Sequence, residues 1–386
     1  MPELRFPEFT DGWISKKVSS IAQVNPKTNS IPDVFQYIDL ESVNKGVLTE
    51  HKIINVTDAP SRAQRLLEKN DILFQTVRPY QQNNYFFTGN NIPTVASTGY
   101  AQIKAKINPY YLYQLLHSKS FLNEVMLRCT GSSYPAINGN DLKDITISYS
   151  SDLFEQEKIS NFFKYIDSII EKQQQLIDKL KLYKRGLINQ IFDNKLSFSK
   201  KSEWHKYQLS DILKERKTYC EKDGTYEHAT LSKEGVYGKT DRYERDYLVS
   251  SDDKKYKITK LGDICYNPAN LKFGVICLNT CGDAIFSPIY ITFEVNKKFN
   301  KEFLAFCLTR NDFINKALQY QQGTVYERMA VSPEDLLSMS INLPPKDIQD
   351  SLAKVILKIE DKVSKTEMKL TELKQMRIAL LQKMFI

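Results

Sequence analysis

The stretch QEKISNFFKYIDSIIEKQQQLIDKLKLYKRGLINQIF, Gln156 to Phe192, decides the fold because the chain contains it twice. Its second copy, QDSLAKVILKIEDKVSKTEMKLTELKQMRIALLQKMF, runs from Gln349 to Phe385 at a constant shift of 193 residues, with no gap. In the first copy Ile159, Phe163, Ile166, Ile170, Gln173, Ile177, Leu180, Lys184, Leu187 and Ile191 recur in alternating steps of four and three. In the second the same rhythm runs through Leu352, Ile356, Ile359, Val363, Thr366, Leu370, Leu373, Arg377, Leu380 and Met384. That is a heptad stripe along one face of a helix, with no interior proline to break it. Asp152-x-x-Glu155 supplies an N-terminal cap for the first helix, and Pro344-Pro345 ends the strand before the second. Each helix should be ~38 residues long and span ~57 Å, too long for an ordinary packed helix of a small domain. The economical arrangement packs the two stripes on each other. If the halves are related by a pseudo-two-fold axis, the helices run antiparallel and Gln173 falls opposite Thr366. The alternative packs each helix separately on its own preceding segment.

Outward from the helices the repeat continues more loosely. Trp13, Val18, Ser19 and Ile21 match Trp204, Leu209, Ser210 and Ile212 at a shift of 191. Gly46-Val47 matches Gly235-Val236, Asp71-Ile72 matches Asp263-Ile264, Gly131-x-x-Tyr134 matches Gly323-x-x-Tyr326, and Asp141-Leu142 matches Asp335-Leu336. The 386 residues are therefore two copies of a divergent body followed by a well-matched helix. Short β-branched and aromatic runs at Phe35–Ile38, Asp71–Phe74, Ile145–Ile147, Ile264–Tyr266 and Ile289–Phe293 predict strands. Tyr110 to Leu127 and Phe303 to Leu318 predict one helix per body. The expected class is α+β: two mixed α/β bodies, 1–150 and 199–345, separated by a pair of long antiparallel, coiled-coil-like helices, 151–198 and 346–386.

Composition bounds the function. The charge of +8 is mild and favours an anionic partner without proving one. The opening Met1-Pro2-Glu3-Leu4-Arg5 lacks the apolar core of a signal peptide, and no apolar run approaches the ~18–20 residues of a membrane span. The six cysteines show no framework spacing. These features predict a reduced, cytoplasmic chain that does not engage a membrane.

A search for catalytic chemistry is mostly negative. Asn267-Pro268-Ala269-Asn270 is faintly similar to the Asn-Pro-Pro-aromatic motif of adenine methyltransferases, but the second proline, the aromatic and any glycine-rich nucleotide loop are missing. Gly238-Lys239-Thr240 ends like a P-loop, yet Lys233 stands where the phosphate cradle needs glycine. The four histidines and Cys277-x3-Cys281 lack metal-ligand spacing. No metal and no catalytic residue is expected.

Binding chemistry is better represented. Arg62 and Arg65 precede a predicted strand, and Arg78, Gln81, Gln82 and Asn83 follow it. These side-chain types pair bidentately with guanine and adenine edges in a major groove, and loops let them reach. In the second body Lys254 and Lys255 precede the equivalent strand, and Asn267, Asn270 and Lys272 follow it. A second loop pair carries Ser132, Ser133 and Tyr134 in one body and Thr324, Tyr326 and Arg328 in the other, beside glycines that permit close approach to phosphate. The bland alternative for each is a polar surface loop.

Two divergent bodies, each followed by a near-identical long helix, resemble the DNA-specificity subunit of Type I restriction-modification systems. The carriers are Leu4-Arg5-Phe6-Pro7-x-Phe9 with Trp13, Ser61-Arg62-Ala63 leading to Asn70-Asp71-Ile72-Leu73, Gly262-Asp263-Ile264, Leu142-x-x-Ile145-x-Ile147, and Leu343-Pro344-Pro345. The second half lacks the Ser-Arg-Ala segment. The resemblance implies two target-recognition domains, each reading one half of a bipartite, asymmetric site in double-stranded DNA. The helices would be a spacer that fixes the gap, with Ile159, Phe163, Ile166, Gln173, Leu180, Leu352, Ile359, Thr366 and Leu373 packing between them. A ~57 Å spacer caps the separation at about 17 base pairs. The resemblance also implies a non-catalytic chain that docks two methyltransferase subunits and, through the assembled complex, the restriction and translocase subunits. S-adenosylmethionine, ATP and magnesium would belong to those partners, with no cofactor bound by this chain. The competing expectation is a helical scaffold whose bodies bind proteins and not DNA.

Overall fold

The computed structural model describes residues 2–192, 204–221, 224–233, 235–238, 255–322 and 329–385. The chain divides into two compact units, Met1–Asp178 with Lys365–Ile386, and Lys179–Ser364. Both cuts fall inside long helices, Leu153–Phe192 and Lys346–Met384. Each unit therefore holds one body, the first part of the helix that follows it, and the last part of the other helix.

The first unit is built on two four-stranded sheets. One runs Lys52–Asn55, Val34–Ile38, Thr94–Ser97, Ala63–Leu66, its central pair parallel and the rest antiparallel. The other runs Ala22–Val24, Tyr100–Ala105, Ile72–Gln75, Tyr85–Phe86, antiparallel throughout. Strand Ile14–Lys17 pairs with Thr146–Tyr149, tying the start of the body to its end. In the second unit His205–Gln208 pairs with Ser340–Leu343 in the same way. One sheet there, Leu213–Glu215, Ile291–Val295, Ile264–Tyr266, Ile276–Leu278, repeats the antiparallel order. The other repeats the parallel central pair, between Glu227–Leu231 and Ala284–Phe286, and adds Tyr219–Cys220 at the edge beyond Tyr256–Thr259. The duplication read from the tryptophans is a duplication of topology.

Each helix predicted within a body is in fact two. Pro109–Leu115 is capped by Asn108, whose side chain accepts from Tyr110 N and Tyr111 N, and Lys119–Leu127 restarts at Ser118, which accepts from Phe121 N. A serine between apolar turns reads as helix surface in a periodicity count, yet it competes for the backbone and opens a new N-terminus. The counterpart splits into Lys301–Leu308 and Asn311–Ala317, where the Thr309 hydroxyl turns back onto the Ala305 and Phe306 carbonyls. Asp141-Leu142 and Asp335-Leu336 lie on a further pair of short helices, Gly139–Asp144 and Pro333–Ser338, capped by Asn138 and Ser332.

Asp152 caps the first long helix by accepting from Phe154 N at 2.7 Å and Glu155 N at 3.3 Å. Glu155 does not complete a reciprocal box. It is fully buried and takes a two-pronged bond from Arg5, at 2.6 and 2.8 Å. Burial is the largest influence and would raise its carboxyl pKa, but Arg5, together with Ser150 and Trp13, outweighs that and leaves it below the ordinary value. Leu4 N donates to Lys383 O at 2.9 Å and Phe6 meets Phe162 edge-on, so the Leu4-Arg5-Phe6 motif ties the start of one long helix to the end of the other.

The two long helices pack antiparallel. In the first unit Phe163 meets Phe385, Asp167 meets Arg377, and Gln173 donates to the Thr366 carbonyl at 3.3 Å. The expected central juxtaposition is present, made by a side chain on a backbone oxygen. In the second unit Lys184 pairs with Glu360, and Ile191 shares a core with Leu352 and Ile356. Ile159, Phe163, Ile166, Leu352 and Thr366 are buried, while Gln173, Leu180, Ile359 and Leu373 are half-buried. The stripe continues into the bodies: the main core of the first unit joins Phe74, Ile103, Tyr111, Phe121 and Leu142 to Phe163, Leu381, Met384 and Phe385. Burying such side chains stabilises by roughly 1.5–3 kcal/mol each, which holds the helices to the sheets. Among the described residues no helix is long and apolar enough to cross a membrane.

Candidate nucleic-acid interface

Strand Ile72–Gln75 is buried at every position and delivers the chain to a loop bracketed by two left-handed residues. Arg78 (φ 54°, ψ 54°) and Gln82 (φ 52°, ψ 36°) flank the 3-10 turn Pro79–Gln81. Neither is glycine, so each costs roughly 1–2 kcal/mol, and such strain persists only where the surroundings over-determine it. The surroundings here are a buried amide network. Gln75 Nε2 donates to the Val77 carbonyl at 2.8 Å and to Gln81 Oε1 at 2.9 Å, and its Oε1 accepts from Asn83 N at 3.0 Å. Buried Asn84 accepts from Gln75 N at 2.8 Å and faces His117 Nε2 at 3.3 Å, while His117 Nδ1 lies 2.7 Å from the Tyr113 carbonyl.

A second loop closes against the first. Thr130 and Ala136 exchange backbone bonds of 2.9 Å, Arg78 N donates to Pro135 O at 2.7 Å, and Ile137 N donates to Thr76 O at 3.0 Å. Gly131 turns this loop at φ +88°, where an added Cβ would stand 3.1 Å from the Tyr134 carbonyl. The guanidinium of Arg78 lies 4.1 Å above the Tyr134 ring. A stacked guanidinium gains about 0.5–1 kcal/mol at an exposed site, and its fork is held in one plane. The result is one surface carrying Arg78, Tyr80, Gln81, Ser132, Ser133 and Tyr134, with Tyr80 and Tyr134 51% and 64% exposed. Donors, hydroxyls and flat apolar rings together suit phosphate and base edges.

The other sequence-selected residues of this body are placed differently. Gln82 reaches inward to the His117 carbonyl at 3.5 Å, and Asn83 Oδ1 accepts from Lys45 N at 2.9 Å. Both side chains hold the loop. Arg62 is exposed on the far side of the Thr98-Gly99 turn: Thr98 N donates to Arg62 O, while the Thr76 amide and hydroxyl donate to Gly99 O. Arg65 lies within strand Ala63–Leu66 opposite Ala96, half-buried, with its guanidinium pKa lowered by burial. Gln75, Asn84 and His117 escape a sequence reading because a glutamine at a strand end looks like surface. The signal available was the density of amides, with Gln75, Gln81, Gln82, Asn83 and Asn84 within ten residues.

Among the described residues the second unit repeats the pairing at the base of the two loops. Asn267 is buried and caps the 3-10 helix Pro268–Phe273 by accepting from Ala269 N at 3.1 Å, which gives the Asn-Pro-Ala-Asn segment a structural role. Asn270 is half-buried and Lys272 is exposed, its ammonium 5.0 Å from the Phe273 ring. Val331 N donates to Pro268 O, Tyr266 hydroxyl donates to Val331 O, and Gln322 and Ala330 exchange backbone bonds as Thr130 and Ala136 do. Lys255 is exposed beside strand Tyr256–Thr259. Lys254, Thr324, Tyr326 and Arg328 lie outside the described residues. Cys265 and Cys277 stand opposite each other on neighbouring strands, their thiols pushed by burial to about 11 and about 12. Among the described residues no group of three or more His, Cys, Asp or Glu is arranged to hold a metal ion.

Residues 11–182 match the family model of the Type I restriction modification DNA specificity domain. Over 96% of its length the chain is 22% identical to the Type I restriction enzyme MjaIX specificity subunit of Methanocaldococcus jannaschii, of which the match covers 92%. It is 25% identical to the HindI specificity subunit of Haemophilus influenzae, over 48% of this chain and 40% of that one. Among solved structures, the Type I restriction-modification S subunit from M. genitalium superposes with a TM-score of 0.63 at 14% identity, covering 100% of this chain and 99% of that one. A chain from a study of complex assembly and conformational transition in the type I R-M system gives 0.54 at 17% identity, covering 97% and 98%. At these identities the structural likeness speaks to the fold.

Proposed function

From the match of residues 11–182 to the Type I restriction modification DNA specificity domain, we propose that each unit reads one half of a bipartite DNA site. The observation that supports this reading is the pairing of two loop bases at the same topological place in each unit, the Thr130/Ala136 bridge in one and the Gln322/Ala330 bridge in the other, with divergent sequences between them. A subunit that read the same bases twice would not need divergent loops. In the first unit Arg78 and Gln81 reach base edges while Ser132, Ser133 and Tyr134 meet the backbone; in the second, Asn270 and Lys272 take the corresponding positions. Arg62 and Lys255 serve as flanking phosphate contacts.

The long helices set the gap between half-sites and dock two methyltransferase subunits, which in turn recruit the restriction and translocase subunits. At 1.5 Å per residue a 40-residue helix spans about 60 Å, or the axial rise of about 18 base pairs. The chain itself is non-catalytic in this reading, and S-adenosylmethionine, ATP and magnesium are the partners' cofactors. Such a division leaves much of the phosphate gripping to the partners, in keeping with a net charge of only +8.

Methylome sequencing of a host carrying this chain with its methyltransferase partner tests the proposal. A bipartite motif is expected. Inserting one helical turn between Leu176 and Tyr183 should lengthen its gap, and exchanging residues 1–150 should alter one half-site alone. An unchanged gap would remove the spacer role, and a motif altered in both halves would remove the division of labour.

A further inference from the structure

The orientation of every amide beneath the first loop is fixed by partners that can play one role only. A backbone carbonyl can only accept, so the atom of Gln75 facing Val77 O at 2.8 Å is the NH2 group. A backbone N–H can only donate, so the atom facing Asn83 N at 3.0 Å is the oxygen. Gln75 is buried, at 2% exposure, and has no room to turn. Its NH2 also meets Gln81 at 2.9 Å, and the facing atom of Gln81 must therefore be Oε1. Gln81 is exposed, and with its oxygen turned inward it presents its NH2 outward. The same logic runs on behind the loop. Asn84 accepts from Gln75 N, so its NH2 faces His117 Nε2, and His117 carries its proton on Nδ1 toward the Tyr113 carbonyl.

We propose that Gln81 reads a base edge as a hydrogen-bond donor, and that Gln75 is the positioning residue that sets this polarity. The proposal rests on the DNA-reading function given above and adds the chemistry of the edge that is read. A free glutamine suits adenine, accepting from N6 and donating to N7. A glutamine whose oxygen is already engaged from within favours an acceptor edge. Its neighbour Arg78 can only donate, so the exposed loop tip offers donors side by side. Guanine, with O6 and N7 adjacent, is the major-groove edge that takes two donors. The first half-site should therefore contain a guanine read at this loop.

The test uses the chain together with its methyltransferase subunits, with methylome sequencing as the readout. Gln81→Glu keeps the shape and the inward oxygen but turns an oxygen outward in place of NH2. It should lower methylation of the native motif at least tenfold through one position of the first half-site, with the preference there moving away from guanine and the second half-site unchanged. Gln75→Glu keeps the acceptor for Asn83 N and removes the donor to Gln81. It should relax that same position to two or more bases. If Gln75→Glu does not fold, Gln81→Glu, at an exposed site, decides alone. Methylation within twofold of the parent at every motif would overturn the proposal. So would an even loss at all positions without a change of base, which would assign Gln81 to phosphate or to loop stability. If the unsubstituted chain directs no bipartite motif, the DNA-reading function itself fails and this proposal falls with it.

Discussion

Lowering the pH from 7 to 4.5 should cost the first unit about 2 kcal/mol through His117 alone. Burial, helped by the Arg377 cation and opposed by the bond to Tyr113 O, depresses the imidazole from its ordinary 6.5 to about 4. The folded pKa lies below the unfolded one, so the unfolded chain takes up the proton first as the pH falls. The stabilisation is present above pH 6.5 and is lost progressively toward pH 4. Between pH 7 and 4.5 a gap of that size amounts to about 2.4 kcal/mol, which the partial solvent access of the ring reduces to about 2. The structural reason is that a second ring proton would set an N–H against the Asn84 NH2, whose oxygen is already committed to Gln75 N. The assay is urea denaturation across this pH range for the parent and for His117→Gln, which cannot titrate. The difference between the two should narrow by about 2 kcal/mol. With four histidines in the chain, the imidazole proton signals are few enough to follow directly. A His117 signal titrating above pH 6, or a pH-independent difference between parent and variant, would refute the reasoning.

The paired helices carry two ion pairs that the duplication exchanges: Asp167 with Arg377 in the first unit, and Glu360 with Lys184 in the second. A double-mutant cycle on Asp167→Asn and Arg377→Gln should give a coupling of about 1–3 kcal/mol, because the Tyr110 hydroxyl and Gln114 Oε1 complete that pair. The Lys184–Glu360 cycle should give less than about 1 kcal/mol, as expected for a more exposed, single contact. Gly131→Ala should destabilise by about 1–2 kcal/mol, since its φ of +88° strains any L side chain and the Tyr134 carbonyl would crowd the Cβ, and methylation should fall with the first half-site affected. Replacing both Gln173 and Thr366 by leucine should raise the melting temperature, because apolar burial between the helices outweighs a polar pair whose Gln173 bond to the Thr366 carbonyl is long, at 3.3 Å. A fall in melting temperature would show that the polar pair is worth more than the packing it displaces.

The helices were legible because the signal is redundant: each of ten stripe positions repeats 193 residues later with its polar interruption in place. The strands around Ile72 and Ile264 were legible from β-branched runs. Ser118 and Thr309 were not, since a polar residue between apolar turns is ambiguous until its hydroxyl finds a backbone partner. The ion pairs are similar. Lys184 and Arg377 were visible as breaks in the stripe, but their carboxylates lie 17 positions back in the opposite copy, Asp167 for Arg377 and Glu360 for Lys184, and only the antiparallel register brings them together. At the loops, residue type singled out the segments and could not divide them. Arg78 and Gln81 face outward, whereas Gln82 and Asn83, of the same chemistry and adjacent in sequence, are consumed in holding the backbone. That division follows from two left-handed residues and one buried glutamine, and no propensity encodes it.

The cuts inside the long helices also set the order in which the chain can become a folded object. The second unit is contiguous, residues 179–364, and can close once that stretch has left the ribosome. The first unit is synthesised earlier yet lacks Leu381, Met384 and Phe385, the residues that complete its core against Trp13, Tyr111 and Phe163. The nascent first body must wait with an apolar face uncovered until Leu381, Met384 and Phe385 are translated. A stop codon in place of Leu381 would spare the unit of residues 179–364 and leave the other one open.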